Sequence, residues 1–182
     1  MQVDSRPVAP STPALTPTSY VVLGLLALRG PSTPYEMEQA VDGSLGHFWA
    51  FPRSQLYSEP ARLAGAGLVE EEREQTGRRR RRFALAPPGR AALQAWLAEP
   101  GAWTSEIRDL GLLRLFFGSA AAAAEDVARG ARAQAQAHRD KLAVYEQLQG
   151  AGDDPHVAAT LRLGMTYERA AVAFWDEVAA GT

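Results

Sequence analysis

Thr76-Gly77-Arg78-Arg79-Arg80-Arg81-Arg82-Phe83-Ala84-Leu85 is the stretch that decides the fold. The glycine marks a turn. Phe83 and Leu85 alternate about Ala84, the period of a strand with one buried side. The arginines therefore ride on the tip and return strand of a hairpin. Its outgoing strand is expected to open at Leu68-Val69 and run to Gln75, with the return over Arg80 to Ala86. Guanidinium groups concentrated on a rigid projection suit phosphate oxygens or a narrow minor groove. A solvated tip accounts for the same residues equally well, so what precedes the hairpin must weigh between the two.

Three helix patterns precede it. Thr16-Pro17 is a start signal, a hydroxyl cap followed by proline at the first helical position. Val21, Val22, Leu25, Leu26 and Leu28 follow, and Arg29-Gly30-Pro31 is a stop. Thr33-Pro34-Tyr35-Glu36 has the form of a capping box, and that helix turns Met37, Ala40 and Val41 inward before ending near Gly43. Phe48, Trp49 and Phe51 are expected to plug the core. A third helix is expected from Pro52 to about Ala64, burying Leu56, Pro60 and Leu63. Pro60 removes one helical hydrogen bond, so this helix is either kinked or starts later. Its other side shows Arg53, Ser54, Gln55, Ser58, Glu59 and Arg62, with Tyr57 at the margin. Three helices and then a two-stranded hairpin is the order of a winged helix-turn-helix.

Pro87-Pro88-Gly89 launches a fourth helix carrying Leu93, Trp96 and Leu97, and Glu99-Pro100-Gly101 closes the unit. The rest reads as all helix: about Ser105 to Phe117, Ala121 to Gln149, and Pro155 to Ala179. The last has two apolar stripes, Val157, Leu161, Gly164, Ala171 and Trp175 on one, Leu163, Tyr167, Ala170, Phe174 and Val178 on the other. A helix apolar on two faces needs cover on two faces, which implies a partner chain. The fold class is thus mainly α: a winged helix-turn-helix domain over 16–99 (three helices plus a two-stranded β wing) and an all-helical dimerisation domain over 104–182. A disordered tail is expected over 1–15, where prolines sit among small and polar residues.

Composition narrows the function. The 182 residues are 46% hydrophobic and 22% charged with no cysteine, which excludes disulfides and thiolate chemistry. Net charge is −2, so any attraction to nucleic acid is local. Residues 1–103 hold 11 arginines against 10 acids, and residues 104–182 hold 8 basic residues against 11 acids. The longest apolar run, Val21 to Leu28, is too short to span a membrane and lacks signal-peptide flanks, so a cytoplasmic protein is expected. His47, His138 and His156 stand alone. Neither a metal site, a cofactor nor a catalytic residue is expected.

Residues 20–97 resemble the PadR family of transcriptional regulators. The resemblance is carried by Leu23-Gly24-Leu25-Leu26, Gly30-Pro31, Tyr35-Glu36-Met37, Gln55-Leu56-Tyr57, Arg62-Leu63, Gly67-Leu68-Val69 and the Gly89…Leu93…Trp96-Leu97 ending. Ser58 and Pro60 stand where that family often has proline and leucine. The acidic helical half looks like the family's dimerising C-terminal region. The resemblance implies a homodimeric repressor of double-stranded DNA carrying a pseudo-palindromic operator. The expected DNA-binding residues are Arg53, Ser54, Gln55, Tyr57, Ser58, Glu59 and Arg62 on the third helix and Arg78, Arg79, Arg80, Arg81 and Arg82 on the wing. Gln55 suits adenine, Arg53 and Arg62 guanine or phosphate, and Glu59 a cytosine amine or the rejection of wrong sites. A small hydrophobic effector would be lined by Trp96, Trp103, Phe116, Tyr167, Phe174 and Trp175; a dimer core filled by its own aromatics is the competing reading. The rival function is a winged-helix adaptor that binds protein without reading DNA, with Glu70, Glu71, Glu72 and Glu74 neutralising the arginines.

Overall fold

The computed structural model describes residues 14–73, 80–102, 108–121, 123–150 and 154–181. The chain divides into two compact units, 1–102 and 103–182.

In the first unit, helix α1 covers Pro17–Arg29. Its start is fixed reciprocally: Thr16 Oγ1 accepts from Ser19 N at 3.3 Å and Ser19 Oγ from Thr16 N at 2.8 Å. Gly30, at φ 79°, ends it, a left-handed turn that glycine adopts without strain. Helix α2 spans Pro34–Asp42 behind the expected Thr33–Glu36 capping box. A short 3-10 turn over Leu45–His47 follows. Phe51 packs against the core. Phe48 and Trp49, expected to plug it, are instead 58% and 45% exposed.

Helix α3 covers Gln55–Gly65, three residues later than expected. Bonds spaced i to i+3, from Gln55 N to Pro52 O and Leu56 N to Arg53 O, lead into it. Pro60 stays inside α3, and its missing donor falls at a buried position. The hairpin pairs β1, Val69–Arg73, with β2, Arg81–Leu85, antiparallel. Ser32 bonds both ways to Phe83 on the far edge of β2, at 2.9 Å each, so β2 lies between two strand-like neighbours. Helix α4 covers Pro87–Ala98. The core joins Val22, Leu23, Leu25 and Leu26 of α1 to Met37, Leu56, Leu63, Val69, Phe83 and Leu93. Leu15, assigned by sequence to the tail, packs against it; residues 1–13 lie outside the described residues.

The second unit holds α5, Leu110–Phe116, α6, Gly118–Ala121, α7, Ala124–Leu148, and α8, Pro155–Gly181. Helix α7 starts three residues later than the expected Ala121, because Ala123 is extended and serves as its cap. Asp154 Oδ1 starts α8 by accepting from His156 N and Val157 N; those two bonds hold its carboxyl below the usual range. Ala131 and Ala135 give α7 a thin face on which Trp175 of α8 is buried.

Candidate nucleic-acid interface

Amphipathic α3 turns Leu56, Pro60 and Leu63 into the core and leaves Arg53, Ser54, Gln55, Tyr57, Ser58 and Arg62 exposed at its start and along its outer side. These are the residues singled out by sequence, with one correction. Glu59 is buried, because it falls three residues after Leu56 on the packed stripe. It accepts from Ser19 Oγ of α1 at 2.6 Å and from Arg62 Nε and Nη2 at 2.8 and 2.6 Å. This ties α1 to α3 and leaves Glu59 unavailable to a cytosine amine. Arg62 also donates to Ser19 Oγ, and Gln55 Oε1 accepts from Thr18 Oγ1 at 2.6 Å. Two hydroxyls of α1 thus set the geometry of three polar side chains on α3.

The Glu59 carboxyl is held below its ordinary range by hydrogen bonds from Arg62 and Ser19, against the opposing effect of burial. A depressed carboxylate adds stability above its unfolded pKa, about 4.3, and that contribution disappears as pH falls through the folded pKa. Glu59→Gln is expected to cost about 1–2 kcal/mol at pH 7. It should also flatten the loss of stability between about pH 5 and 3, since other acids titrate alike in both chains. Thermal melts across that range check both effects.

At the other end of α3, Arg53 meets Asp42 through both terminal nitrogens, at 3.0 and 2.7 Å, with Glu38 Oε1 at 3.5 Å. Tyr57 Oη donates to the other oxygen of Glu38 at 2.6 Å. Sequence did not pick out Glu38 or Asp42, although both stand on a helix whose capping box it had recognised.

On the wing, Glu71 is opposite Phe83 and Arg73 opposite Arg81, so alternation puts Arg81 on the face of Phe83 and Arg82 on the other. Glu71 accepts from Arg81 Nε and Nη2 at 2.8 and 2.7 Å and from Arg73 Nε at 2.7 Å. Those guanidinium groups push its carboxyl down to about 2. Arg81 also lies 5.3 Å from the Phe83 ring centre. Arg82 donates to Pro31 O at 2.7 Å, and Arg80 is exposed. Arg78 and Arg79 lie outside the described residues. In sequence, residues 69–82 contain four glutamates and six arginines, an excess of two positive charges; Thr76-Gly77, expected to make the turn, also lies outside the described residues.

The effector candidates are divided between the two units. Trp96 belongs to the first unit, where it stacks on Tyr20 with ring centres 4.4 Å apart. Phe116, Tyr167 and Phe174 of the second unit are exposed, while Trp175 is buried in its core. Trp103 is outside the described residues. One surface cavity of about 400 Å³ is lined by Val41, His47, Trp49, Phe51 and Arg53 among others, and another of about 510 Å³ by Arg108, Asp109 and three leucines of α5. Neither includes an effector candidate.

Sequence also missed an ionic cluster in the second unit. Glu168 of α8, 1% exposed, is 2.5 Å from His138 Nδ1 and 3.0 Å from Lys141 Nζ, both on α7. Burial opposes the charge on Lys141, but Glu168 more than offsets it and its pKa is raised. The partners stand about 30 positions apart, so local spacing carried no signal. Among the described residues no group of three or more metal-ligating side chains is placed to hold an ion, and no helix is long and apolar enough to cross a membrane.

Comparison with known proteins agrees with this architecture. Residues 22–95 match the transcriptional regulator PadR-like family, and residues 107–181 match the virulence activator alpha C-terminal region. The negative transcriptional regulator PadR of Bacillus subtilis (strain 168) is 26% identical over 100 residues, 54% of either chain, so the chain spans about half the length of that curated relative. The crystal structure of Bacillus subtilis PadR in complex with operator DNA has a TM-score of 0.79 at 21% identity, covering 93% of this chain and 99% of that one. Bacillus subtilis PadR in complex with p-coumaric acid gives 0.73 at 22% identity, over 89% and 96%. The first match falls on the three-helix-and-hairpin unit and the second on the helical one: residues 22–95 carry a domain of the PadR-like family, a family of transcriptional regulators.

Proposed function

We propose that this protein is a homodimeric, sequence-specific DNA-binding repressor, with residues 16–99 gripping the duplex and 104–182 joining two copies. The observation that carries the reading is the exposed polar side of α3 standing in the same compact unit as a wing with two excess positive charges. A helix can enter the major groove while neighbouring cations hold the backbone. Dimerisation is supported by α8: Trp175 is buried within the chain, whereas Leu163, Tyr167 and Phe174 on the other stripe are 71%, 48% and 42% exposed. A dimer would address two half-sites about one helical turn apart, or a multiple of it.

Release by a small planar hydrophobic effector is part of the proposal. It is supported by the exposed aromatics of α8 and by a related PadR that has been crystallised with p-coumaric acid. Quenching or a shift of tryptophan emission across a panel of planar aromatic acids is the expected result; silence across the panel would remove the effector.

The adaptor reading draws support from the carboxylates that hold Arg53, Tyr57 and Arg81. Anisotropy titrations on the protein's own upstream region discriminate. The expected result is a saturable complex near 0.15 M salt that mixed-sequence competitor does not displace, with sedimentation at twice the chain mass. Binding confined to low salt and indifferent to sequence would favour the adaptor.

A further inference from the structure

We infer that Glu38 and Asp42 of α2 are specificity-determining residues: in the free protein they hold Arg53 and Tyr57 against α2 and so withhold both from the phosphates of unspecific DNA. The inference rests on the reading of α3 as the DNA-facing helix. Asp42 occupies both terminal nitrogens of Arg53 at 3.0 and 2.7 Å. A phosphate would use the same fork, since planar guanidinium pairs end-on with either anion. Glu38 is shared, one oxygen 3.5 Å from Arg53 and the other accepting from Tyr57 at 2.6 Å. Two carboxylates thus surround one guanidinium, and the cluster carries a net negative charge on the exposed edge of α3.

Charge balance sets what this cluster does. A phosphate approaching it meets an excess of negative charge, and must replace Asp42 before it gains a donor. The exchange succeeds where base contacts fix the duplex in register and the site is occupied anyway. It fails on unspecific sequence, where phosphate attraction is nearly the whole of the binding. Arg53 is charged with or without its acidic partners, because a guanidinium does not deprotonate in proteins; its hydrogen bond to Asp42, and then that carboxylate's charge, raise its pKa further. Removing the acids therefore frees a cation instead of losing one. The wing differs, because there Glu71 is outnumbered by Arg73 and Arg81.

The test uses the full chain with Glu38→Gln and Asp42→Asn together, a fluorescent mixed-sequence duplex, and anisotropy titrations across a salt series. The variant should bind this duplex about 5–10-fold tighter near 0.1 M salt, with the salt slope steeper by about 1 for each α3 engaged. Arg53→Gln added to the pair should return affinity to the natural level or below it. Unchanged affinity and slope in the double variant would overturn the inference, as would weaker binding, which would mean that the acids present Arg53 to DNA. A gain that survives Arg53→Gln would overturn it too. If the double variant melts early, Glu38→Gln alone must show the same sign. A natural chain that binds neither its own upstream region nor the mixed-sequence duplex, even at low salt, refutes the DNA reading itself, whereas a natural chain that binds its upstream region and a variant that matches it on the mixed-sequence duplex refute the withholding alone.

Discussion

Exchanging Arg78 through Arg82 for alanine is expected to weaken binding to operator and to mixed-sequence duplex by a similar factor, and to flatten the dependence on salt. The run changes the sign of the wing. Four glutamates and six arginines between Val69 and Arg82 become four glutamates and one arginine, so an attractive projection becomes a repulsive one. The five do not count equally. Arg81 lies on the Phe83 face and is held by Glu71, and Arg82 lies on the other face and donates to Pro31 O. A slope smaller by about 2 per wing, not 5, is the reasonable magnitude, since each phosphate contact contributes about 0.9. That corresponds to a loss of about thirtyfold or more per wing near 0.15 M salt. The ratio of operator to unspecific affinity should move little, because phosphate contacts hold the protein without reading sequence. Titrations at several salt concentrations decide it: an unchanged slope would remove the wing from the interface. Melting temperature serves as the control, because Arg80 and Arg82 are exposed and exposed ion pairs contribute little to stability.

The fold was legible because its signals are local. The caps of α1 and α2 are written within four residues each, at Thr16–Ser19 and Thr33–Glu36. The alternation about Phe83 marked the return strand of the hairpin, and the core face of α3 followed from Leu56 and Leu63. Where reading failed, the deciding partner was far along the chain. Glu59 reads as a solvated charge until Ser19, 40 positions earlier, is brought against it. Arg53 reads as free until α2 is folded beside it, and Glu168 joins His138 across 30 positions. Phe48 and Trp49 failed for another reason: large aromatics are buried on average, and that average says nothing about a loop lying on the surface. The polar outline of the candidate interface was therefore readable, but the ion pairs that tune it were not.

Gly89 offers the sharpest test of the packing that positions the wing. It sits in the first turn of α4, where glycine ordinarily costs stability and alanine should help by about 0.5–1 kcal/mol. Here the sign reverses. A Cβ on Gly89 would lie 2.0 Å from the carbonyl oxygen of Leu68, 3.0 Å from its carbonyl carbon and 3.0 Å from Leu85 Cδ1. The obstacle is backbone. Leu68 O accepts from Ala86 N at 3.2 Å, and Leu68 N donates to Leu63 O at 3.0 Å, so the peptide cannot swing aside without losing the link between α3, β1 and α4. Gly89→Ala is expected to cost about 3 kcal/mol or more, lowering Tm by roughly 15 °C in a domain of this size. Gly24→Ala in α1, where an added Cβ meets nothing within 4 Å, is the matched control and should leave Tm unchanged or slightly raised. The clash also reaches the interface, because Leu68 immediately precedes β1 and α4 immediately follows β2. Surviving Gly89→Ala protein should therefore bind duplex with a flatter salt slope, as a displaced wing loses phosphate contacts while the face of α3 is intact. If Gly89→Ala melts within a couple of degrees of Gly24→Ala, α4 does not rest on Leu68, and the wing is not braced from that side.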